Sequence, residues 1–461
     1  MSTTLWAPFA WVDGRWQPEV LLRIGVRGCF EEIRPHTPAP ADATVLPGPV
    51  LPGMVDAHSH AFQRAYAGLA ERRSAAQDDF WSWRERMYVV SLRITPAQMR
   101  AVAAQLYAEL LQGGYTHVCE FHYLHRNEAG GHYADPAEMA LALVAAAQDA
   151  GIGLTLLPVL YERGGFGESG LRPGQRRFAS TVPEVLALRD RVRALKLPCI
   201  DAGTAVHSLR AASPESMYQL AAAVREDPAP LHVHVAEQTG EVDDCLRTTG
   251  KRPLQWLCEH MPLDPRWFFV HATHAEPTEI AAVARTGAGV VVCPSTEANL
   301  GDGFFDMPRW LAAGVPLAFG SDSQIGRDWP AELRQLEYSQ RLLRRERNVA
   351  AAPGEEQTST AARLLQGGLA GGGAAAGQSC WGLVKSARAD LLVVDTSVAA
   401  LTGIPATHVL DALVFSGNAT AFSEVWVAGQ RHVVDGRHRA GASLAREFAS
   451  VMARLWPAAA S

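Results

Sequence analysis

The chain has 461 residues, of which 48% are hydrophobic and 20% are charged, and its formal net charge is −6 at pH 7. This composition is that of a globular protein and excludes disordered, collagen-like and coiled-coil architectures. The negative net charge argues against a surface that binds a nucleic acid backbone, so an anionic ligand would have to be held by local arginines.

The first 50 residues contain short runs with the pattern of β-strands, and similar runs return near the C-terminus. The predicted terminal strands lie at residues 5–12, 20–26, 28–33, 390–395, 424–427 and 430–434. Neither set is large enough to bury one face of a sheet by itself. We therefore expect residues 1–50 and 381–461 to combine into one β-sandwich domain, with a helix at the C-terminal end.

The middle of the chain alternates short β-rich runs with helical stretches, which is the pattern of repeated βα units around a parallel sheet. The eight predicted strands lie near residues 52–58, 116–121, 153–159, 203–207, 231–236, 267–271, 289–293 and 316–320. Helices are predicted at residues 96–111, 135–150 and 332–347. The alternation fits an open doubly wound sheet as well, but eight runs within residues 51–380 favour an α/β fold of the (β/α)8 TIM-barrel type.

Residues 361–377, rich in glycine and alanine, precede the predicted domain boundary at residue 380. Two interpretations are open for this segment. It is either a flexible linker or the last helix of the barrel, packed against the sheet through its small side chains.

The seven cysteines are scattered and never form a Cys-x-x-Cys motif. Such a set indicates free thiols in a reducing compartment and gives no thiolate zinc site. The N-terminal residues lack the basic and apolar regions of a signal peptide, and no run of 18 uncharged apolar residues occurs. We therefore expect a cytoplasmic protein with a small-molecule substrate and with neither a membrane nor a nucleic acid partner.

Histidines and one aspartate stand at the ends of four predicted barrel strands. His58 and His60 end the first strand, His234 the fifth and His271 the sixth, and Asp322 follows the eighth. Each motif is common by itself, but barrel enzymes place their catalytic groups at this end of the strands. The coincidence predicts a mononuclear hydrolytic metal site with one coordination position open to water. Its predicted ligands are His58, His60, His234 and Asp322.

These motifs resemble those of the amidohydrolase superfamily, in its branch of single-metal deaminases. The matching segments are residues 52–60, 234–237, 271, 320–322 and 389–395. The resemblance implies a (β/α)8 barrel with a β-sandwich formed by both termini, and a homodimer. No lysine follows the fourth strand, where two-metal members carry a bridging lysine, so it also implies one divalent metal per chain. The ligand types make Zn²⁺ the first choice, with iron or manganese as alternatives.

Three side chains suit the hydrolysis of a C=N bond, and the resemblance implies the same roles for them. Asp322 would take a proton from the metal-activated water that attacks the carbon, and Glu237 would deliver a proton to the nitrogen. His271 would hold the attacking oxygen and the tetrahedral carbon through a hydrogen bond. Loss of ammonia would complete the reaction.

Two arginines in the loops of the catalytic face point to the substrate. Arg84 and Arg210 fall beside the predicted metal site, and two guanidinium groups suit the carboxylates of a dicarboxylate. Segments such as 120–125, 205–210 and 293–302 resemble the members of this family that act on a formimidoyl group in histidine degradation. That resemblance implies substrate contacts from Gln63, Arg84, Tyr123, His207 and Arg210.

Two other functions stay open at this point. A guanine- or pterin-type ring deaminase of the same superfamily would use stacking aromatic side chains, for which Trp81, Trp83 and Tyr123 are candidates. A metal-free protein that only binds a dicarboxylate would have lost a metal ligand or Glu237, and the sequence retains all of them.

Overall fold

The structure is a computed structural model that describes residues 2–73, 78–355, 357–417 and 421–457. Its N-terminal segment forms strands β1 (Thr3–Val12), β2 (Arg15–Ile24), β3 (Phe30–Arg34), β4 (Thr44–Val45) and β5 (Val50–Pro52). β1 and β2 form an antiparallel hairpin around Asp13 and Gly14, whose φ angles of 51° and 73° suit a two-residue turn that twists with its strands. No helix of the described residues is long and apolar enough to cross a membrane.

The middle of the chain alternates strands and helices. Its first half comprises β6 (Met54–Ser59), α1 (Phe80–Ser91), α2 (Pro96–Gln112), β7 (Tyr115–His122), α3 (Glu138–Ala150), β8 (Gly153–Leu160), α4 (Val182–Arg193), β9 (Ile200–Ala202), β10 (Thr204–Ser208) and α5 (Pro214–Ala223). Its second half comprises β11 (Leu231–Val235), α6 (Thr239–Thr249), α7 (Pro253–His260), β12 (Trp267–His271), α8 (Pro277–Thr286), β13 (Gly289–Val292), α9 (Pro294–Leu300), α10 (Met307–Ala312), β14 (Leu317–Phe319), α11 (Trp329–Arg344) and α12 (Thr360–Ala375).

Eight parallel strands of the described chain form the barrel, in the order β6-β7-β8-β10-β11-β12-β13-β14, and β9 pairs only with β8. A parallel bridge between Ser59 and Asp322 brings the first and last strands together, so the barrel is nearly closed. The predicted (β/α)8 barrel is confirmed, and each of the eight predicted strands overlaps one of these strands. The first predicted strand divides at Gly53, because Pro52 ends β5 in a separate sheet.

The C-terminal segment completes that separate sheet. It comprises β15 (Leu391–Val394), α13 (Val409–Phe415), β16 (Phe422–Val427), β17 (Gln430–Val434), β18 (Arg437–His438) and α14 (Gly441–Leu455). The sheet order is β18-β17-β16-β15-β5-β1-β2-β3, with β4 paired to β1. β15 pairs antiparallel with β5, so strands from both ends of the chain share one sheet, as predicted. The division into domains at residues 50 and 380 stays a prediction.

Two of the predicted helices differ from the structure at their ends. α3 begins later than predicted because the Asp135 carboxylate accepts a hydrogen bond from the Ala137 amide and holds a turn there. α11 begins earlier because the Asp328 side chain caps it by accepting from the Ala331 amide at 3.1 Å. It ends where Arg345 adopts a left-handed φ of 59°.

The glycine- and alanine-rich segment is helix α12, packed on the barrel. A Cβ atom on Gly371 would lie 2.2 Å from the carbonyl oxygen of Leu317 in β14, and one on Gly372 would lie 3.0 Å from Cβ of Val55 in β6. The missing side chains therefore let the helix backbone approach the strands closely. Of the two interpretations of this segment, the barrel helix is correct and the linker is wrong.

The packing of α12 predicts opposite effects for two alanine substitutions. Gly371→Ala should lower the free energy of unfolding by about 1–3 kcal/mol, because the new methyl group overpacks the barrel. Gly367→Ala should raise it by about 0.5–1 kcal/mol, because a Cβ there meets no atom within 4 Å and alanine favours the helix. Urea unfolding measures both changes, and a G371A protein as stable as the parent would contradict this packing.

Candidate active site

The four predicted metal ligands converge at the C-terminal end of the barrel. Nε2 of His58 lies 3.2 Å from Nε2 of His60 and 3.0 Å from Nε2 of His234. Oδ1 of Asp322 lies 3.6 Å from Nε2 of His58 and 3.4 Å from Nε2 of His60. All four side chains are buried. His58 lies in β6 and His60 directly follows the last residue of that strand, so the two-residue spacing turns both to the same side, as the strand period requires.

The hydrogen bonds behind these histidines show that the group fits a metal cation. Nδ1 of His60 lies 3.0 Å from the Phe121 carbonyl, and Nδ1 of His234 lies 3.0 Å from the His207 carbonyl. A carbonyl only accepts, so each Nδ1 donates and each Nε2 presents a lone pair. Burial lowers the pKa of His60 to about 3 and that of His58 and His234 well below the usual value, so the rings are neutral. Of the three rings, only that of His58 could place a proton on Nε2 and donate to the other two. A divalent cation between the rings would instead accept the Nε2 lone pairs of all three.

His271 lies beside this group and faces two carboxylates. Its Nε2 is 3.8 Å from Oε1 of Glu237 and 3.8 Å from Oδ2 of Asp322. Burial by itself would lower the pKa of His271, but the carboxylates of Glu237, Glu297 and Asp322 raise it to about 10. Burial raises the pKa of Asp322 to about 7, although the neighbouring His271 opposes this shift. Proton donors and acceptors therefore stand next to the three histidines.

The backbone at the site is held in unusual conformations. His271 and Asp322 have positive φ angles of 70° and 48°, which are uncommon for residues other than glycine. The loop that carries Asp322 is fixed by Asp56, whose carboxylate accepts from the Ser321 amide at 2.9 Å and from its hydroxyl at 2.5 Å. Such conformations persist only where surrounding contacts fix them, and they concentrate at functional sites.

The five predicted substrate-binding residues line one pocket, together with His60, His234, Glu237, His271 and Asp322. In its wall the amide of Gln63 donates to the Tyr123 hydroxyl at 3.2 Å. The ring of His207 packs against Tyr161 with 4.4 Å between centroids. The structure thus brings every predicted substrate residue to the predicted catalytic residues. The remaining walls consist of Phe80, Trp83, Met87, Tyr88, Tyr161, Phe178 and Leu300, of which only Trp83 was predicted, as a stacking side chain of the alternative ring deaminase.

Arg84 and Arg210 form an unusual pair in this pocket, because each is only 7% exposed. Within the described residues, neither guanidinium lies within ion-pair distance of a carboxylate, and Nε of Arg84 and Nη1 of Arg210 have no hydrogen-bond partner. Trp81 contacts both, with its ring centroid 4.5 Å from Cζ of Arg84 and 5.7 Å from Cζ of Arg210. Burial, and to a lesser extent the charge of Arg210, lower the pKa of Arg84. Two buried cations without counterions create a site for anions.

Sequence reasoning missed Glu297 as a residue of the site. Its Oε1 lies 3.3 Å from Nδ1 of His271, although 26 positions separate the two residues. The sequence marked Glu297 only as part of the segment 293–302, without a role. No local pattern relates the first turn of α9 to the end of β12, because the contact depends on how neighbouring barrel strands align.

A nearly closed barrel with histidines and carboxylates at the C-terminal ends of its strands is the architecture of a metal-dependent hydrolase. Residues 50–431 match the Amidohydrolase family, and the chain belongs to this family. It is 45% identical to the formimidoylglutamate deiminase of Pseudomonas aeruginosa, over 98% of this chain and 99% of that protein. The crystal structure of an amidohydrolase from Brucella melitensis matches with a TM-score of 0.93 and 42% identity, over 98% of this chain and 99% of that one.

A more distant relative acts on a ring. The 8-oxoguanine deaminase of Pseudomonas aeruginosa is 29% identical over 64% of this chain and 64% of its own length.

The site predicts that two histidines of the same strand differ in their effect on metal content. His234→Asn should reduce the divalent metal that co-purifies with the chain, because it removes one of the converging lone pairs. His232→Asn is the matched control, since His232 is also buried in β11 but its Nε2 faces the Ala375 carbonyl at 2.9 Å. Elemental analysis of the folded proteins makes the comparison, and equal metal content in both variants would refute the ligand assignment.

Proposed function

We propose that the chain is a metal-dependent formimidoylglutamate deiminase, which converts N-formimidoyl-L-glutamate and water to N-formyl-L-glutamate and ammonia. The observation that carries the proposal is the pair of buried guanidinium groups of Arg84 and Arg210, without counterions in the described chain, beside a hydrolytic centre. Similarity to the Pseudomonas aeruginosa deiminase along nearly the whole chain supports the same substrate. The proposal includes a step in histidine degradation, a cytoplasmic location and a homodimer.

The proposed cofactor is one divalent metal per chain, with Zn²⁺ as the first choice for imidazole and carboxylate ligands. His58, His60, His234 and Asp322 would hold it. When bound, the metal supplies a Lewis acid that lowers the pKa of water in the site.

The side chains around this centre supply the proton transfers. Asp322 has oxygen lone pairs to take a proton from the attacking water, and Glu237 lines the same pocket and returns a proton to the substrate nitrogen. The oxygen of water bonds to the formimidoyl carbon while the C=N π bond becomes an N–H bond. The hydroxyl group on that carbon then gives up its proton and the nitrogen receives a second one, so the C–N bond breaks, ammonia leaves and the C–O bond becomes the formyl carbonyl. His271 stabilises the tetrahedral carbon by a hydrogen bond to its oxygen.

The substrate carboxylates would bind to Arg84 and Arg210 through charge-assisted hydrogen bonds. Trp81 holds both guanidinium groups against its ring, which limits their motion before the substrate arrives. Gln63, Tyr123 and His207 complete the polar lining and would contact the formimidoyl end.

The reaction itself is the first test. The purified, metal-loaded chain should release ammonia from N-formimidoyl-L-glutamate, and the product should be N-formyl-L-glutamate by mass spectrometry. Guanine is the comparison substrate, because a ring deaminase of the same family would release ammonia from it. Turnover of guanine without turnover of N-formimidoyl-L-glutamate would overturn the proposal in favour of the ring deaminase.

Removing either arginine should weaken substrate binding more than chemistry. Arg84→Met and Arg210→Met should each raise KM by roughly 10- to 100-fold, since a hydrogen-bonded ion pair contributes about 1.5–3 kcal/mol. Arg15→Met changes an arginine on the exposed face of β2 and is the matched control. Steady-state kinetics measure KM, and unchanged values for both pocket variants would contradict the dicarboxylate site.

Glu237→Gln should impair chemistry while it preserves binding. The amide has nearly the same shape but cannot carry the proton to nitrogen, so kcat should fall by about 10²- to 10⁴-fold. Metal content and the dissociation constant of the substrate should stay near those of the parent. Calorimetry and single-turnover kinetics separate the two effects, and a kcat close to that of the parent would exclude Glu237 as the proton carrier.

A further inference from the structure

Glu297 is a buried residue, and one oxygen of its carboxylate accepts hydrogen bonds from two elements of the barrel. Its Oε1 lies 3.3 Å from Nδ1 of His271 at the end of β12 and 2.9 Å from the amide of Cys293 at the start of α9. The side chain is almost fully buried, so water does not compete for these contacts. The carboxylate therefore links the two neighbouring strand ends.

This contact fixes which nitrogen of His271 faces the substrate pocket. A carboxylate oxygen only accepts, so Nδ1 of His271 carries a proton and points away from the pocket. Nε2 is then directed to the space between Glu237 and Asp322, 3.8 Å from an oxygen of each. An imidazole that turned over about its Cβ–Cγ bond would lose the Glu297 contact and no longer present a nitrogen to that space.

The same side chain also has an ordinary structural explanation. Glu297 reaches back to the amide that precedes α9, as glutamates in the first turn of a helix often do. Capping by itself needs no contact with His271, so it predicts a loss of stability that is independent of His271. The two explanations differ in whether the effects of Glu297 and His271 depend on each other.

We propose that Glu297 is a positioning residue for hydrolysis, which holds His271 in the ring orientation that places Nε2 beside the reacting carbon. The proposal rests on the role assigned to His271 in the proposed function. It accounts for a buried carboxylate that lies outside the predicted metal and substrate sets.

Glu297→Met keeps about the length of the side chain and removes the oxygen that accepts from both the Cys293 amide and Nδ1 of His271. It should lower kcat by about 10- to 100-fold, the usual effect of losing a group that orients a catalytic residue. KM and metal content should change by less than about twofold, because neither the arginines nor the three metal-binding histidines are touched.

A double-mutant cycle with His271→Asn separates positioning from capping. In the H271N background, E297M should cause no further loss of kcat beyond about twofold, because the oriented group is already absent. An equal loss in both backgrounds, or a kcat of E297M close to that of the parent, would overturn the proposal. Should E297M not fold, Glu297→Asp takes its place in the cycle, since its shorter side chain keeps the charge but moves the oxygen away from His271.

Glu332→Met is the matched control for burial and capping. Glu332 in α11 is fully buried, and its carboxylate accepts at 2.9 Å from the amide of Ser295 in α9, the helix that carries Glu297. Its substitution should change kcat by less than about twofold. A crystal structure of E297M gives a readout without turnover: His271 should be rotated or disordered, and an unchanged ring would count against positioning. A parent protein that fails to turn over its substrate would instead refute the proposed function.

Discussion

The site depends on the contact that nearly closes the barrel, between the first and the last strand. The amide of Asp322 donates to the carbonyl of His58 at 2.9 Å, and the amide of His60 donates to the carbonyl of Asp322 at 3.2 Å. Gly320 permits this approach, because a Cβ there would lie 2.7 Å from Cβ of His58. Residues more than 250 positions apart thereby face one another, and a barrel that failed to close would separate the carboxylate from the histidines.

This closure has an electrostatic cost, because it buries groups that water would otherwise solvate. Burial keeps the three histidines neutral and raises the pKa of Asp322, while two guanidinium groups stay without counterions within the described residues. An arrangement of this kind lowers the free energy of unfolding of the ligand-free fold. The lost stability would be recovered when a cation and an anion bind. In the ligand-free fold, the hydrogen bonds from Ser321 to Asp56 and the close packing of α12 hold these buried groups in place.

The sequence predicts those parts of the molecule that depend on local pattern. The strand period places His58 and His60 on one side, and the ends of β11 and β12 follow from apolar runs that stop at a histidine or just beyond it. Two features escape local pattern. α12 is resolved as a barrel helix only by its distances to Leu317 and Val55, and Glu297 reaches His271 only because β12 and β13 are neighbours. Both depend on the register of the closed barrel.

In the proposed function, the pair of arginines would also explain how a chain of net charge −6 selects an anionic substrate. Distant surface charges are screened within about 8 Å at physiological ionic strength, so the field in the pocket comes from groups that line it. A ligand with one carboxylate would leave the second guanidinium buried and unpaired, at a cost of about 1–3 kcal/mol or more. Selectivity of the proposed site for a dicarboxylate would therefore arise from the penalty on incomplete ligands as much as from the attraction of the correct one.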